Sequence, residues 1–291
     1  MIALSVAIVL GLAAWAAFGG KDSEGRVTIT NDSQVAGVAQ EAERLSLQHL
    51  KDYDAGAELS QQDKADVRRA AAHFDSLTAY KSKDIRTYFG AGKCYQAAGN
   101  DDAAIKRLRD GLATLPPPPV PAEFNDTAIE AHYVLSVSLF NKKDYEGAMK
   151  EVSTAIAMFP GSPIYLSQRA SIYVQMRPPK YVEAAHDLLR ALTIDPQHKR
   201  SLGLLKLVGM AASDAFKVAA SDKLNKRDYK GVVQDCTTGL GIAPGYAPLL
   251  ALRAAAYIEL GKKAEAKDDI EALRRIDPNS KDAQTLDRQL K

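Results

Sequence analysis

The chain has 291 residues, 46% hydrophobic and 25% charged, a balance that excludes wholesale disorder, a collagen-like fibre and a multi-span transporter. A formal charge of +2, from 38 basic and 36 acidic side chains, provides no dominant field for a polyanion, so nucleic acid is not expected as a partner. Two cysteines, Cys94 and Cys236, are too few for a disulfide framework and read as free thiols in a chain long enough to bury a core without staples.

The first twenty residues, MIALSVAIVLGLAAWAAFGG, carry no charged side chain. At 1.5 Å per residue a helix of that length covers roughly 30 Å, the hydrocarbon thickness of a bilayer. Trp15 and Phe18 fall near its end, where aromatics mark the lipid–water interface. The segment reads as a retained single-pass anchor because no Lys or Arg precedes the apolar run, as one would in a secretory signal; Ala14-Trp15-Ala16 keeps cleavage open as the alternative. Ala3, Ala7 and Gly11 recur every four residues, either as a ridge for close packing with another transmembrane helix or as a chance pattern in an Ala-rich run. Lys21 and Arg26 follow the span and favour a cytoplasmic body, with a periplasmic or extracytoplasmic body as the alternative. Residues 21–34 are then a tether. Within it Arg26–Thr30 alternates like a short strand, either extended linker or a strand awaiting a partner's sheet edge.

Further along, Val35–Tyr53 and Asp63–Tyr80 have helical periodicity and predict a helical hairpin over 35–84, with Ala70, Phe74 and Leu77 on the packing face of its second helix. From residue 85 the chain repeats. Pro116, Pro160, Pro196, Pro244 and Pro278 each close an apolar helical segment, and twelve positions before them stand Ala104, Ala148, Ala184, Val232 and Ala266. Twelve positions earlier again come Gly92, Ser136, Ala220 and Ala254; Ala170 stands fourteen earlier because of the insertion Arg177-Pro178-Pro179. The intervals between the prolines are 44, 36, 48 and 34, a period of 34 whose additions fall in the connections, as stacked helical hairpins tolerate. Small residues at two crossing positions let paired helices approach, while Tyr and Leu fill the gaps between hairpins. Pro116–Pro119 with Pro121 predicts a stiff spacer that widens one step between hairpins. Ser201–Val218 keeps helical spacing and extends the first helix of the fourth unit into a long rod. Ser280–Leu290 is amphipathic, with Leu286 and Leu290 placed to cover the end of the stack.

This pattern resembles the tetratricopeptide repeat, through Tyr88, Ala91, Gly92, Tyr95, Gly99, Ala104, Leu108, Gly111 and Pro116 in the first unit and Ala254, Tyr257, Gly261, Ala266, Ile270 and Pro278 in the last. The fourth unit departs from it, with Lys223 where the first helix usually offers Tyr. The resemblance implies an all-α fold, a right-handed superhelical α-solenoid of stacked helical hairpins, here preceded by a single N-terminal transmembrane helix. The organisation is then an anchor at 1–20, a tether at 21–34 and a divergent hairpin at 35–84. Five repeats fill 85–278, at 85–118, 129–162, 163–198, 213–246 and 247–280, with a capping helix at 279–291. It further implies an interaction scaffold whose first helices line a concave groove. The lining positions would be Arg86, Phe89, Lys93 and Gln96, then Glu130, Tyr133, Val137 and Phe140, then Ser167, Gln168 and Ser171, then Lys217 and Ser221. Phe89, Tyr133, Val137 and Phe140 make an apolar strip suited to an amphipathic helix or an extended hydrophobic segment, bordered by Arg86 and Lys93. Phe89, Lys93 and Val134 occupy the places where some members clamp the terminal carboxylate of chaperone tails, which disfavours that mode.

Catalytic, metal and cofactor constellations are not readable. His49, His73, His132, His186 and His198 lack the i, i+3 or i, i+4 pairing of a helical metal site, and there is no CxxC. Gly239-Leu240-Gly241 precedes Pro244 at the end of a repeat, with no strand before it to make a dinucleotide loop. His198–Lys230 carries a local formal charge of +5, either a solvated helix face or a contact for an acidic protein or anionic lipid. The leading expectation is a non-enzymatic, membrane-anchored scaffold, a structural or assembly subunit whose protein partners include an integral membrane complex. A periplasmic or translocon-associated chaperone-like helper is the alternative, and an enzyme with an unrecognised site the third reading.

Overall fold

The computed structural model describes residues 22–23, 25–54, 58–80, 83–117 and 119–290. The expected anchor at 1–20, with Ala3, Ala7 and Gly11, lies outside the described residues. No helix among the described residues is long and apolar enough to cross a membrane.

The described elements are α-helices, in two compact units, one ending at Pro160 and the other beginning at Gly161. The first unit holds α1 (Asp32–Asp54), α2 (Gln61–Ala79), α3 (Ile85–Ala97), α4 (Asp101–Leu112), α5 (Ala122–Asn141) and α6 (Tyr145–Met158). The second holds α7 (Pro163–Gln175), α8 (Tyr181–Ile194), α9 (Lys199–Asn225), α10 (Tyr229–Ile242), α11 (Ala247–Glu259), α12 (Lys263–Ile276) and α13 (Lys281–Leu290). Within each unit the helices pack as consecutive pairs, and the pairs stack on one another. In the first unit α2 meets α3 and α4 meets α5; in the second α8 meets α9 and α10 meets α11. First helices also touch across neighbouring pairs, α1 with α3, α3 with α5, α7 with α9 and α9 with α11. This is an all-α solenoid of stacked helical pairs. Helix α13 packs on both α11 and α12, and Ala283 and Leu286 go under cover there.

The small residues explain the close pairing. Ala104, Ala148, Ala184, Val232 and Ala266 are completely buried, as are Ser136, Ala170, Ala220 and Ala254. At Gly92 an added Cβ would sit 2.6 Å from Leu108 Cγ, so the α3–α4 approach requires glycine there.

The turn inside each hairpin has its own rule. Gly99, Lys143, Arg227 and Gly261 all have positive φ, between 58° and 81°, and each stands seventeen residues before its closing proline. The next residue donates its backbone N–H five positions back: Asn100 to Tyr95 (2.8 Å), Asp144 to Leu139 (2.9 Å), Asp228 to Lys223 (2.9 Å) and Lys262 to Tyr257 (2.8 Å). These are Schellman closures, which satisfy carbonyls at the helix end and reverse the chain. The same next residue then caps the second helix in three hairpins, where the Asn100, Asp144 and Asp228 side chains accept from the N–H groups of Ala103, Gly147 and Gly231. The third hairpin lengthens the turn through Arg177-Pro178-Pro179, and Lys180 N–H bonds Tyr173 O instead (3.0 Å).

Two boundaries differ from expectation. Residues 26–30 are not a free tether: Val27 is 4% exposed in the core formed with Val38, Ala42 and Val67, and its N–H donates to Ser76 Oγ (2.9 Å). Alternation there buries one face on the first hairpin. Helix α5 starts at Ala122, ahead of residue 129, directly after Pro121, and packs on both α3 and α4, so the proline-rich spacer does not part these hairpins. The expected extension of the fourth unit's first helix is present: α9 starts at Lys199 and runs 27 residues as one rod.

Candidate functional site

On α3, Arg86, Phe89 and Lys93 stand at i, i+3 and i+7, one face of a helix whose other side buries Ile85, Ala91, Gly92 and Cys94. On α5, Glu130, Tyr133, Val137 and Phe140 recur at i, i+3, i+7 and i+10, opposite the buried Ala131, Val134, Leu135 and Ser138. All seven remain partly or fully exposed. The Arg86 guanidinium lies over the Phe124 ring at 5.5 Å, joining α3 to the first turn of α5. Arg86 also donates from Nε to Asp84 Oδ2 (2.9 Å); that hydrogen bond holds the Asp84 carboxyl below its ordinary range and raises the guanidinium. Lys93 Nζ sits 5.9 Å from the Phe89 ring centre, and Phe140 meets Tyr145 edge-on at 5.6 Å. The strip is therefore aromatic and aliphatic, with two cations on its α3 side.

Three residues assigned to the groove are packing residues instead. Gln96 is 8% exposed and donates to Tyr53 Oη (2.8 Å), tying α3 to α1. Ser167 is fully buried and donates to Ile164 O (2.9 Å). Gln168 is 1% exposed and accepts from Arg200 on α9 (2.7 Å). The reason is the contact between neighbouring first helices, which covers positions that would otherwise open to a partner. Ser171 keeps partial exposure, donates to Ser167 O (2.9 Å) and accepts from Arg200 (3.3 Å). Lys217 pairs with Asp214 (3.5 Å), and Ser221 is partly exposed.

What the sequence reading missed is a set of buried charge pairs. Nine residues before the closing prolines stand Arg107, Glu151, Asp187, Asp235 and Asp269. Asp187 accepts two bonds from Arg169 (2.7 and 2.8 Å), Asp269 two from Arg253 (2.9 and 2.7 Å), and Asp235 one from Lys223 (2.8 Å). Glu151 lies 2.6 Å from His132 Nδ1. In α4 the sign reverses: Arg107 reaches Asp75 in the preceding hairpin (2.6 and 3.0 Å), where the Tyr95 hydroxyl also donates (2.8 Å). The hydrogen bonds they donate to the aspartates raise the guanidinium pKa of Arg107, Arg169 and Arg253. Lys223, the apparent departure of the fourth unit, supplies the cation of its pair. The available signal was a charge next to the packing Leu108, Val152, Leu188, Cys236 and Ile270, recurring at one register. These pairs stay inside the fold and converge on no exposed nucleophile.

Cys94 and Cys236 are fully buried and their thiols are pushed up to about 12 by burial, which makes them inert packing groups. Among the described residues no group of three or more His, Cys, Asp or Glu is placed to hold a metal.

Residues 247–280, spanning α11 and α12, match the Tetratricopeptide repeat family. Protein PHOX3 of Arabidopsis thaliana is 35% identical over 68 residues, 22% of this chain, and the match spans only 8% of PHOX3. The PilF structure from Pseudomonas aeruginosa is 13% identical, over 88% of this chain and 99% of that one, with a TM-score of 0.41. PilW, a type IV pilus biogenesis factor, is 18% identical over 88% of this chain and 99% of its own, with a TM-score of 0.40. Likeness at these levels carries no functional information. Residues 247–280 thus resemble a tetratricopeptide repeat, and the four helical pairs before them, from α3–α4 to α9–α10, share their small crossing residues and closing prolines.

Proposed function

We propose that this protein is a non-enzymatic, membrane-anchored scaffold, a structural or assembly subunit that holds a partner's amphipathic helix or extended hydrophobic segment on Phe89, Tyr133, Val137 and Phe140. The observation that carries the reading is the partial exposure of this strip on two packed first helices, at helical spacing, on the side away from the residues each helix buries. Aromatic side chains supply large contact area at low entropic cost, and Arg86 and Lys93 select an acidic flank on the ligand. Anchoring rests on the uncharged run 1–20, and a cytoplasmic body on Lys21 and Arg26 after it.

The test is co-purification from gently solubilised membranes. Phe89→Ala with Tyr133→Ala is expected to lose the partner at least tenfold, the order of two hot-spot truncations, with an unchanged melting temperature. Capture at the wild-type level would show that the strip is not the binding face, and recovery of no stable partner by the wild type would remove the subunit reading. A topology reporter fused after Lys291 that is active only outside the cytoplasm turns the same strip into that of a periplasmic chaperone-like helper.

A further inference from the structure

Helix α9 buries Ser201, Val208, Ala212, Ser213, Phe216 and Ala220. On the opposite face it presents three large apolar side chains, Leu207 at 81% exposure, Met210 at 65% and Val218 at 58%. Lys199, Lys206 and Lys217 share that face, spaced by seven and eleven residues, close to whole turns. Gly203 lies among them with nothing within 4 Å of the position its Cβ would take, so the backbone there is open. One acid on this face, Asp214, is engaged by the Tyr246 hydroxyl and by Lys217 (3.5 Å), and the hydrogen bond from Tyr246 holds its carboxyl below the ordinary range. Lys199, Lys206 and Lys217 therefore flank the apolar stripe on one side, against the Asp214 carboxylate that Lys217 and Tyr246 engage and Asp222, one turn beyond Val218.

We propose that this face of α9 lies against an anionic phospholipid surface, with Leu207, Met210 and Val218 entering the boundary between headgroups and acyl chains and Lys199, Lys206 and Lys217 meeting anionic headgroups. The combination of an apolar stripe with flanking lysines is the pattern of an interfacial helix. Lysine stems pack beside apolar groups while the ammonium reaches the headgroups. A protein partner of comparable strength would need pockets to seat its anchors, and a single helix face with bare backbone at Gly203 supplies no walls; a fluid interface conforms to it. The inference concerns the second unit and stands apart from both the partner strip and the anchor.

The full chain carrying Leu207→Cys takes an environment-sensitive fluorophore selectively, because Cys94 and Cys236 are buried. It is reconstituted with vesicles of phosphatidylcholine, with or without phosphatidylserine. On phosphatidylserine vesicles the emission is expected to shift to the blue and to be quenched by nitroxides carried on lipid. High salt should reverse both, since headgroup attraction is screened beyond a Debye length. Lys199→Glu, Lys206→Glu and Lys217→Glu together are expected to lower the docked population by about a hundredfold, at roughly fivefold per lysine, with an unchanged circular-dichroism melt. A label that stays in water on phosphatidylserine vesicles overturns the proposal, as does equal quenching on pure phosphatidylcholine. A blue shift that grows with protein concentration in detergent, without vesicles, assigns the face to a second copy and overturns it too. An anchored chain whose label remains in water leaves anchoring by 1–20 intact and removes only the docking of α9.

Discussion

Gly203 and Gly239 are both helical glycines, yet their surroundings give opposite expectations. Gly203 has open space around it, whereas a Cβ at Gly239 would overlap Leu249 Cδ1 and approach Phe216 Cβ to 3.1 Å. Alanine in a helix gains up to about 1 kcal/mol over glycine. Gly203→Ala should therefore raise the unfolding free energy by about that amount. Gly239→Ala should lower it by about 1–2 kcal/mol, since Leu249 and Phe216 are fully buried and cannot give way. Urea titration of the two variants checks the sign, and equal shifts would contradict the packing at the α10–α11 contact.

Two buried thiols and the half-buried Tyr95 hydroxyl contribute to alkaline stability. Burial raises the Cys94 and Cys236 thiols from 9.0 to about 12, and burial followed by donation to Asp75 raises the Tyr95 hydroxyl from 10.0 to about 12. Between pH 9 and 12 the unfolded chain releases protons that the folded chain retains. It then binds fewer protons than the native state, so stability falls as pH rises through that window and is fully present below it. The urea midpoint is expected to hold steady up to about pH 9 and then decline, and Cys94→Ala with Cys236→Ala should flatten the start of the decline. A flat midpoint across the whole window would mean that these groups open to water in the native state.

Among the elements, the hairpin is where the buried pairs act. Asp269 retains 6% side-chain exposure and is held by Arg253 from the paired helix, which also donates to Thr237 in the preceding hairpin (3.1 Å). Arg253→Met leaves that carboxylate without its cation. Because Arg253 keeps 20% exposure, water reaches the gap, and the expected loss is about 3 kcal/mol, the lower end for breaking a buried pair. Adding Asp269→Leu removes the stranded charge and should recover most of the loss, which a double-mutant cycle in urea measures. No recovery would mean that the pair stabilises through its neighbours rather than by mutual neutralisation. The hairpins also show how far pattern reading reaches. Ala104, Ala148, Ala184, Val232 and Ala266 were legible as crossing residues because a helix contact of fixed geometry demands small side chains at a fixed interval. The pairs were obscured because the cation changes place: Arg169 and Arg253 both stand one residue before the crossing Ala170 and Ala254, their separations of eighteen and sixteen differing by the insertion at Pro178-Pro179, whereas Lys223 stands three residues after Ala220 and only twelve from its partner.

In the whole molecule, stability is distributed by neighbour contacts. Each helical pair touches the pairs before and after it within its unit, so a local defect spreads chiefly to those neighbours. Ala148 is completely buried in α6, and Ala148→Leu should overpack the α5–α6 crossing at a cost of about 1–3 kcal/mol. Hydrogen exchange is expected to speed most in α5 and α6, less in α3 and α4, and least in α11 and α12. Uniform acceleration would point to one cooperative body instead of a chain of pairs.

The repeat period, the closing prolines, the crossing residues, the capping helix and the long α9 were determined by sequence alone, because backbone geometry and close packing impose them at regular intervals. Which polar residues face outward was not, because that depends on what a neighbouring first helix covers. Gln96 stands at the repeat position of Phe140 and Ser167 at that of Phe89, yet the α1–α3 and α7–α9 contacts bury them, while Gln168 stands at the position of the buried Val134. Val27 joined the core for the same reason: burial belongs to a pair of surfaces, and only the tertiary structure supplies the second.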